Sequence, residues 1–141
     1  MARSILVDAG FIVALLSKRD AHGGWAALQA KRLPPPWHTC DAVLSEAFHL
    51  LGSQGRLALV ALLRRAVLDA AFSLTENLDP TLRLLEKYAN VPMSFADACL
   101  VRMCEVFADP LVLTTDADFR IYRRHGRQVV PCLLPAGAKR E

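Results

Sequence analysis

The stretch Val91-Pro92-Met93-Ser94-Phe95-Ala96-Asp97-Ala98-Cys99-Leu100-Val101-Arg102-Met103-Cys104 decides how the rest of the chain is read. Pro92 cannot continue a helix from its N-terminal side and Ser94 is a good N-cap, so a helix is expected to start here. From 95 to 107 the chain is apolar on nearly every face: Phe95, Ala96, Cys99, Leu100, Met103, Cys104 and Phe107, with Ala98, Val101 and Val106 between them. A helix that is hydrophobic all round lies buried at the centre of a domain. One carboxylate, Asp97, stands in its first turn, and two readings of it compete. Ser94-x-x-Asp97 fits a capping box, where a carboxylate also suits the helix dipole. Asp97 equally fits a metal ligand, because a carboxylate entering an apolar core needs a cation or hydrogen bonds to offset its desolvation.

The rest of the chain is built to surround such a helix. Its 141 residues are expected to form one domain over 1–141, long enough to bury roughly two-thirds of the unfolded surface without disulfides or metal. A composition 53% hydrophobic and 22% charged excludes a disordered chain. Cys40, Cys99, Cys104 and Cys132 show no CxxC and no zinc spacing, and two of them fall in the central helix. They read as small hydrophobes in a reducing compartment. The apolar run 5–16 superficially resembles a signal peptide, but Asp8 interrupts it and no small-x-small cleavage site precedes Lys18-Arg19-Asp20. A soluble cytoplasmic chain with no membrane partner is the expectation, since no run approaches the roughly 18 apolar residues of a spanning helix. The net charge of +3 is unevenly placed: residues 120–141 hold Arg120, Arg123, Arg124, Arg127, Lys139 and Arg140 against Glu141. Such a segment suits a phosphate backbone, or is a solvated helix face and a frayed terminus.

Read in order, Ser4-Ile5-Leu6-Val7 is a short buried strand ending on Asp8, and residues 11–17 form a helix. A second helical segment follows Asp20 and is broken by Leu33-Pro34-Pro35-Pro36. Trp37-His38-Thr39-Cys40 is a second strand. Asp41 caps an amphipathic helix with Leu44, Phe48 and Leu51 at i, i+4 and i+7, ended by Gly52, and Glu46 lies off that stripe. Residues 55–69 read as a further helix and 70–74 as a short strand. Asp79-Pro80 is a cap followed by proline at the first helical position, opening a helix to about Ala89. Beyond the central helix, Leu111-Val112-Leu113-Thr114 is a buried strand, residues 117–124 a short helix, 128–133 the last strand and 134–141 a loose tail. Short strands alternating with helices predict an α/β fold, a three-layer α/β/α sandwich on a short, mainly parallel sheet.

In an open parallel sheet ligands bind beyond the carboxyl ends of the strands. Asp8 and Asp116 occupy that place after the two most apolar strands, Asp97 opens the central helix, and Glu46 sits on the helix after the second strand. Singly, each has an ordinary reading as a cap or a solvated helix residue. Together at one end of the sheet they repel one another unless a cation neutralises them. Oxygen-only ligation selects Mg²⁺ or Mn²⁺ over zinc.

The ordered set Ile5-Leu6-Val7-Asp8, Leu44-Ser45-Glu46-Ala47-Phe48-His49-Leu50-Leu51, Ser94-Phe95-Ala96-Asp97-Ala98 and Leu113-Thr114-Thr115-Asp116-Ala117-Asp118-Phe119 resembles the PIN-domain nucleases, including the VapC-type toxins. The likeness runs from Ile5 to about Leu134. It implies a metal-dependent endoribonuclease whose acids fall on Asp8, Glu46, Asp97 and Asp116, with Ser94 and Thr114 as polar neighbours and Asp118 as a further acid. In this assignment Asp8 and Asp97 are the principal ligands of Mg²⁺ or Mn²⁺. Glu46 and Asp116 hold a second ion or orient the attacking water, and Arg120, Arg123, Arg124 and Arg127 engage the RNA backbone. The family commonly pairs, and the apolar surface of residues 57–68 adds to the expectation of a homodimer. A toxin would also have a small antitoxin protein as partner. One departure is visible: VapC-type toxins usually carry a hydroxyl residue just after the first Asp, where Ala9-Gly10 stand here.

Other chemistries lack their residues. A haloacid-dehalogenase phosphatase wants Asp-x-Asp where Asp8-Ala9-Gly10 stands, and a receiver domain wants an acidic pair there and a late lysine. The four histidines show no metal spacing, and Ser94 has no histidine partner for nucleophilic catalysis. From another functional class, a non-catalytic PIN-like module gripping RNA or protein is the alternative.

Overall fold

Ile5, Leu6 and Val7 are buried on both sides, as a central parallel strand requires, and with Ser4 they form β1 (Ser4–Val7). The computed structural model describes residues 2–140. Around β1 the chain lays down β2 (Trp37–His38), β3 (Leu68–Asp69), β4 (Pro110–Leu113) and β7 (Cys132–Leu133) in the order β3-β2-β1-β4-β7. Every pairing in this sheet is parallel. The chain builds outward from β1 to β3 and then returns to the other side of β1 with β4. Right-handed crossovers therefore put α1 (Ala9–Leu16), α2 (Gly23–Arg32) and α3 (Asp41–Arg64) on one face. They put α4 (Leu78–Lys87) and α5 (Phe95–Val106) on the other. The α/β/α fold read from the sequence is the fold observed.

The central helix is α5. Ala98, Leu100, Val101 and Met103 are fully buried, and only its ends, Phe95 and Val106, reach solvent among its large apolar residues. It starts where Ser94 predicts, with the complete capping box: the Asp97 N–H donates to Ser94 Oγ (3.0 Å) and the Ser94 N–H to Asp97 Oδ2 (3.3 Å). The four cysteines are free thiols, and burial pushes Cys104 up to about 12, in keeping with packing roles. No helix among the described residues is long and apolar enough to cross a membrane.

Several boundaries differ from the sequence expectation. Gly52 does not end the helix after β2. It adopts φ 64°, ψ −155°, so α3 kinks and resumes, then stops at Arg64 rather than at 69. The strand expected at 70–74 is β3, two residues earlier, because Leu68 is the buried residue while Ala70 and Ala71 are exposed. In α4 the cap expected at Asp79 is not used; Asp79 lies inside the first turn and pairs with Arg83. The helix expected over 117–124 is only a 3₁₀ turn (Ala117–Arg120). It leads into an antiparallel hairpin of β5 (Arg123–Arg124) and β6 (Gln128–Val129), turned by His125 and Gly126 at positive φ. The strand expected over 128–133 is thus split at Pro131 between that hairpin and β7 of the main sheet. Nor is the tail loose. The Ala117 N–H donates to the Lys139 carbonyl (3.1 Å), Asp116 bridges Lys139, and Arg140 ion-pairs with Asp118. Glu141 lies outside the described residues.

The kink supplies a test of this geometry. Gly52 holds a backbone conformation open essentially to glycine, so Gly52→Ala is expected to lose about 1–3 kcal/mol of stability in a urea titration. Gly24→Ala, inside α2 with open space around it, is expected to be neutral or to gain up to about 1 kcal/mol. Equal midpoints for the two variants would mean that the kink is not held as described.

Candidate acidic site

Register sets the site. Val7 pairs with Leu113, so β1 and β4 end side by side and the Asp8 N–H donates to the Leu113 carbonyl (3.0 Å). This is the point where strand order reverses, the place at which an open parallel sheet leaves a crevice. The crevice is a cavity of about 450 Å³ whose wall carries Asp8, Glu46, Asp97, Asp116, Asp118 and Ser94, with Gly10, Leu50 and Pro92. All four acids expected from the sequence are brought together, and Asp118 and Ser94 join them.

Each acid is held by the start of a local element. Asp8 caps α1, its Oδ1 accepting from the Ala9 N–H (2.7 Å) while its Oδ2 accepts from the Thr114 hydroxyl (2.7 Å). Thr114 does not line the cavity but is fully buried behind it, and the same Oγ1 accepts from the Asp116 N–H (3.0 Å). Asp116 caps the 3₁₀ turn, accepting from the Asp118 N–H (2.9 Å). Asp97 is fixed by the capping box and by the Tyr122 hydroxyl, which donates to Oδ2 (2.9 Å). Glu46, in the second turn of α3, is exposed. Gly10 belongs here for space: a Cβ would come within 2.1 Å of Thr115 Oγ1.

Two residues of the site escaped sequence reading. Tyr122 belongs to the core, stacked edge-on against Tyr88 and Phe119. The available signal was that a buried tyrosine hydroxyl needs a partner. Burial, reinforced by the charge of Asp97, pushes that hydroxyl up, so it stays protonated and donates. Arg140 comes from the tail to Asp118, whose side chain is 1% exposed, and no local pattern announces a contact of that kind.

The expected RNA-gripping arginines are not at the cavity wall. Arg123 Nη1 donates to the carbonyls of Arg120, Ile121 and Tyr122 (2.8, 3.2 and 2.9 Å). Arg124 Nη1 donates to the Cys104 carbonyl (3.1 Å), and its Nε is buried without a partner. The hairpin that replaces the expected helix turns both guanidiniums onto backbone. Arg120 and Arg127 are exposed.

Burial and like charge set the electrostatics of Asp8 and Asp97. Burial pushes the Asp8 carboxyl from 3.8 up to about 7; repulsion from Asp97 adds to the rise, and the bonds from Thr114 and Ala9 oppose it. Asp97 is also raised, by burial first and by Glu46, against the bonds from Tyr122 and Ser94. The donors are all oxygens, which suits a hard divalent cation. Side-chain rotation would be needed to close them on one ion, since among the described residues no three His, Cys, Asp or Glu form a group that could hold a metal.

The family model described as PIN domain matches residues 5–124. Among solved structures, the crystal structure of Mycobacterium tuberculosis VapC20, a sarcin–ricin loop cleaving toxin, is similar to this chain with a TM-score of 0.61 and 27% sequence identity. That match covers 68% of this chain and 77% of the toxin. No curated protein sequence matches.

The raised Asp8 carboxyl fixes the sign of a pH dependence. Between about 4 and 7 the folded chain keeps a proton that the unfolded chain has lost, so stability falls as pH rises through that window. In chelator the protein is therefore expected to melt several degrees lower at pH 8 than at pH 5, and Asp8→Asn is expected to flatten that slope. Parallel pH profiles for the two proteins would contradict the burial argument.

Proposed function

Because the chain belongs to the PIN-domain family, we propose that it is a metal-dependent endoribonuclease, cutting RNA phosphodiester bonds at the acidic cavity. The observation that carries this reading is the gathering of Asp8, Glu46, Asp97, Asp116 and Asp118 on one wall at the strand switch point. A bound Mg²⁺ or Mn²⁺ supplies an activated water near neutral pH and charge stabilisation for the phosphate oxygens. Asp8 and Asp97 are the principal ligands; Glu46 and Asp116 complete the shell of a second ion or orient the water. Thr114 orients Asp8 and Asp116, and Tyr122 and Ser94 orient Asp97. Asp118, paired with Arg140, contributes to the wall more than to the ligand shell.

The likeness to a toxin that cleaves the sarcin–ricin loop supports a structured RNA as substrate and a toxin of a type II toxin–antitoxin pair as the biological setting. A small antitoxin protein is then its partner, and the cytoplasm its compartment. A homodimer across the second half of α3 fits the exposure of Leu57, at 72%. Sedimentation at micromolar concentration is expected to give the mass of two chains, and Leu57→Glu that of one. A wild-type mass of one chain would remove the dimer from this reading.

Asp97→Asn tests the chemistry. The variant keeps the shape of the side chain and deletes the charge a hard cation needs, so cleavage of a structured RNA is expected to fall at least a hundredfold. In chelator the variant is expected to melt at or above the wild-type temperature, because the buried charge it removes is unfavourable without an ion. Millimolar Mn²⁺ raises the wild-type melting temperature by mass action and leaves the variant nearly unmoved. Wild-type cleavage rates from the Asn protein, or a wild-type melt indifferent to Mn²⁺ and chelator, would overturn the proposal.

A further inference from the structure

A second cavity, of about 550 Å³, lies between the end of α1 and the kink of α3, where Lys18, Arg19 and Gln54 line it beside Leu16 and Leu51. It shares both helices with the acidic cavity. Gly10 and Leu16 stand toward opposite ends of α1, and Leu50 and Leu51 are successive residues of α3. These two helices pack along one another, and the eight residues of α1 rise roughly 12 Å, a span that a few nucleotides of a single strand can cover.

A cavity walled by carboxylates repels a polyanion, so a strand that reaches it must be held by cations alongside. Arg123 and Arg124 are tied to backbone carbonyls and do not serve. Lys18 and Arg19 are exposed, and among the described residues neither makes a salt bridge. Two cations with an amide between helices offer what a phosphodiester needs: a guanidinium fork, an ammonium charge and neutral donors.

We infer that the Lys18–Arg19 cavity is a phosphate subsite that grips the RNA backbone a few nucleotides from the cleaved bond. The inference rests on the nuclease reading above and gives its substrate a direction, along the α1–α3 groove. Gln54 donates to the same phosphate group, and the kink at Gly52 shapes the hollow that admits it.

The test compares wild type, Lys18→Ala/Arg19→Ala and Lys31→Ala/Arg32→Ala, the last pair removing equal charge from the exposed end of α2. Binding of a fluorescein-labelled RNA stem–loop is followed in chelator across a salt series, and single-turnover cleavage is followed in Mn²⁺. Loss of the one phosphate held there lowers the slope of log K against log salt by about 0.7 and weakens binding on the order of several-fold. KM for cleavage rises with kcat nearly unchanged, and the melting temperature stays put because both side chains are exposed. The α2 control keeps the wild-type slope. If Lys18→Ala/Arg19→Ala binds with the slope and affinity of the control while wild type cuts normally, the subsite is wrong and the nuclease reading stands. A wild type that neither binds nor cuts the stem–loop overturns the nuclease reading and this inference with it.

Discussion

Thr114 follows β4 directly, one residue beyond the register that pairs Val7 with Leu113, and its buried hydroxyl donates to Asp8 while accepting from the Asp116 N–H. Through that single oxygen the acid at the end of β1 and the acid beyond β4 are held at a fixed separation. The arrangement depends on the parallel sheet. In an antiparallel pair the two strand ends would lie at opposite edges and no hydroxyl could bridge them. It depends equally on burial, since an oxygen in water would exchange its partners and fix nothing. The helices then add what the strands cannot: α3 brings Glu46 to the same wall and α5 brings Asp97.

Collecting acids this way opposes folding, and the molecule offsets the cost unevenly. Asp118 is matched by Arg140, whereas Asp97 and Asp8 have only neutral donors and both are raised, Asp8 to about 7. A fold selected for stability alone would place a leucine or an asparagine at Asp8, because a buried carboxylate without a counter-charge is costly. Buried carboxylates raised by burial and by one another at the wall of one cavity are what the proposed cation site requires.

The parts legible in the sequence were those fixed by strong local rules. Pro92 and Ser94 gave the start of α5, its all-round apolar character gave its burial, and a carboxylate after each apolar strand gave Asp8 and Asp116. Two-residue strands have no period to read, so the sequence places β3 two residues late and reads β5 as the end of a helix, while β6 falls within the expected last strand. Gly52 looked like a stop because glycine after an apolar run usually is one; here the leucines on both sides of it keep packing on the same core, and the chain bends rather than ends. The tail was unreadable for a different reason. Lys139 and Arg140 are ordered by Ala117 and Asp118, some twenty residues back, and a contact at that separation leaves no mark on local composition. The basic surplus after residue 120 was therefore real as composition and misleading as a surface, since three of its six cations are tied to backbone or to Asp118.

Asp97 shows why capping and ligation need not exclude each other. A carboxylate has two oxygens and about four acceptor directions. The Ser94 N–H of the capping box and the Tyr122 hydroxyl both donate to Oδ2. Asp8 instead takes one donor on each oxygen, with a lone pair left on both. The bonds that satisfy the helix starts thus hold the carboxylates without using all of their acceptor directions. Neutral donors suit this task better than an arginine would. They fix orientation without cancelling charge, so the attraction for a cation survives the positioning. Where an arginine is used, at Asp118, the charge of the acid is matched as it is positioned.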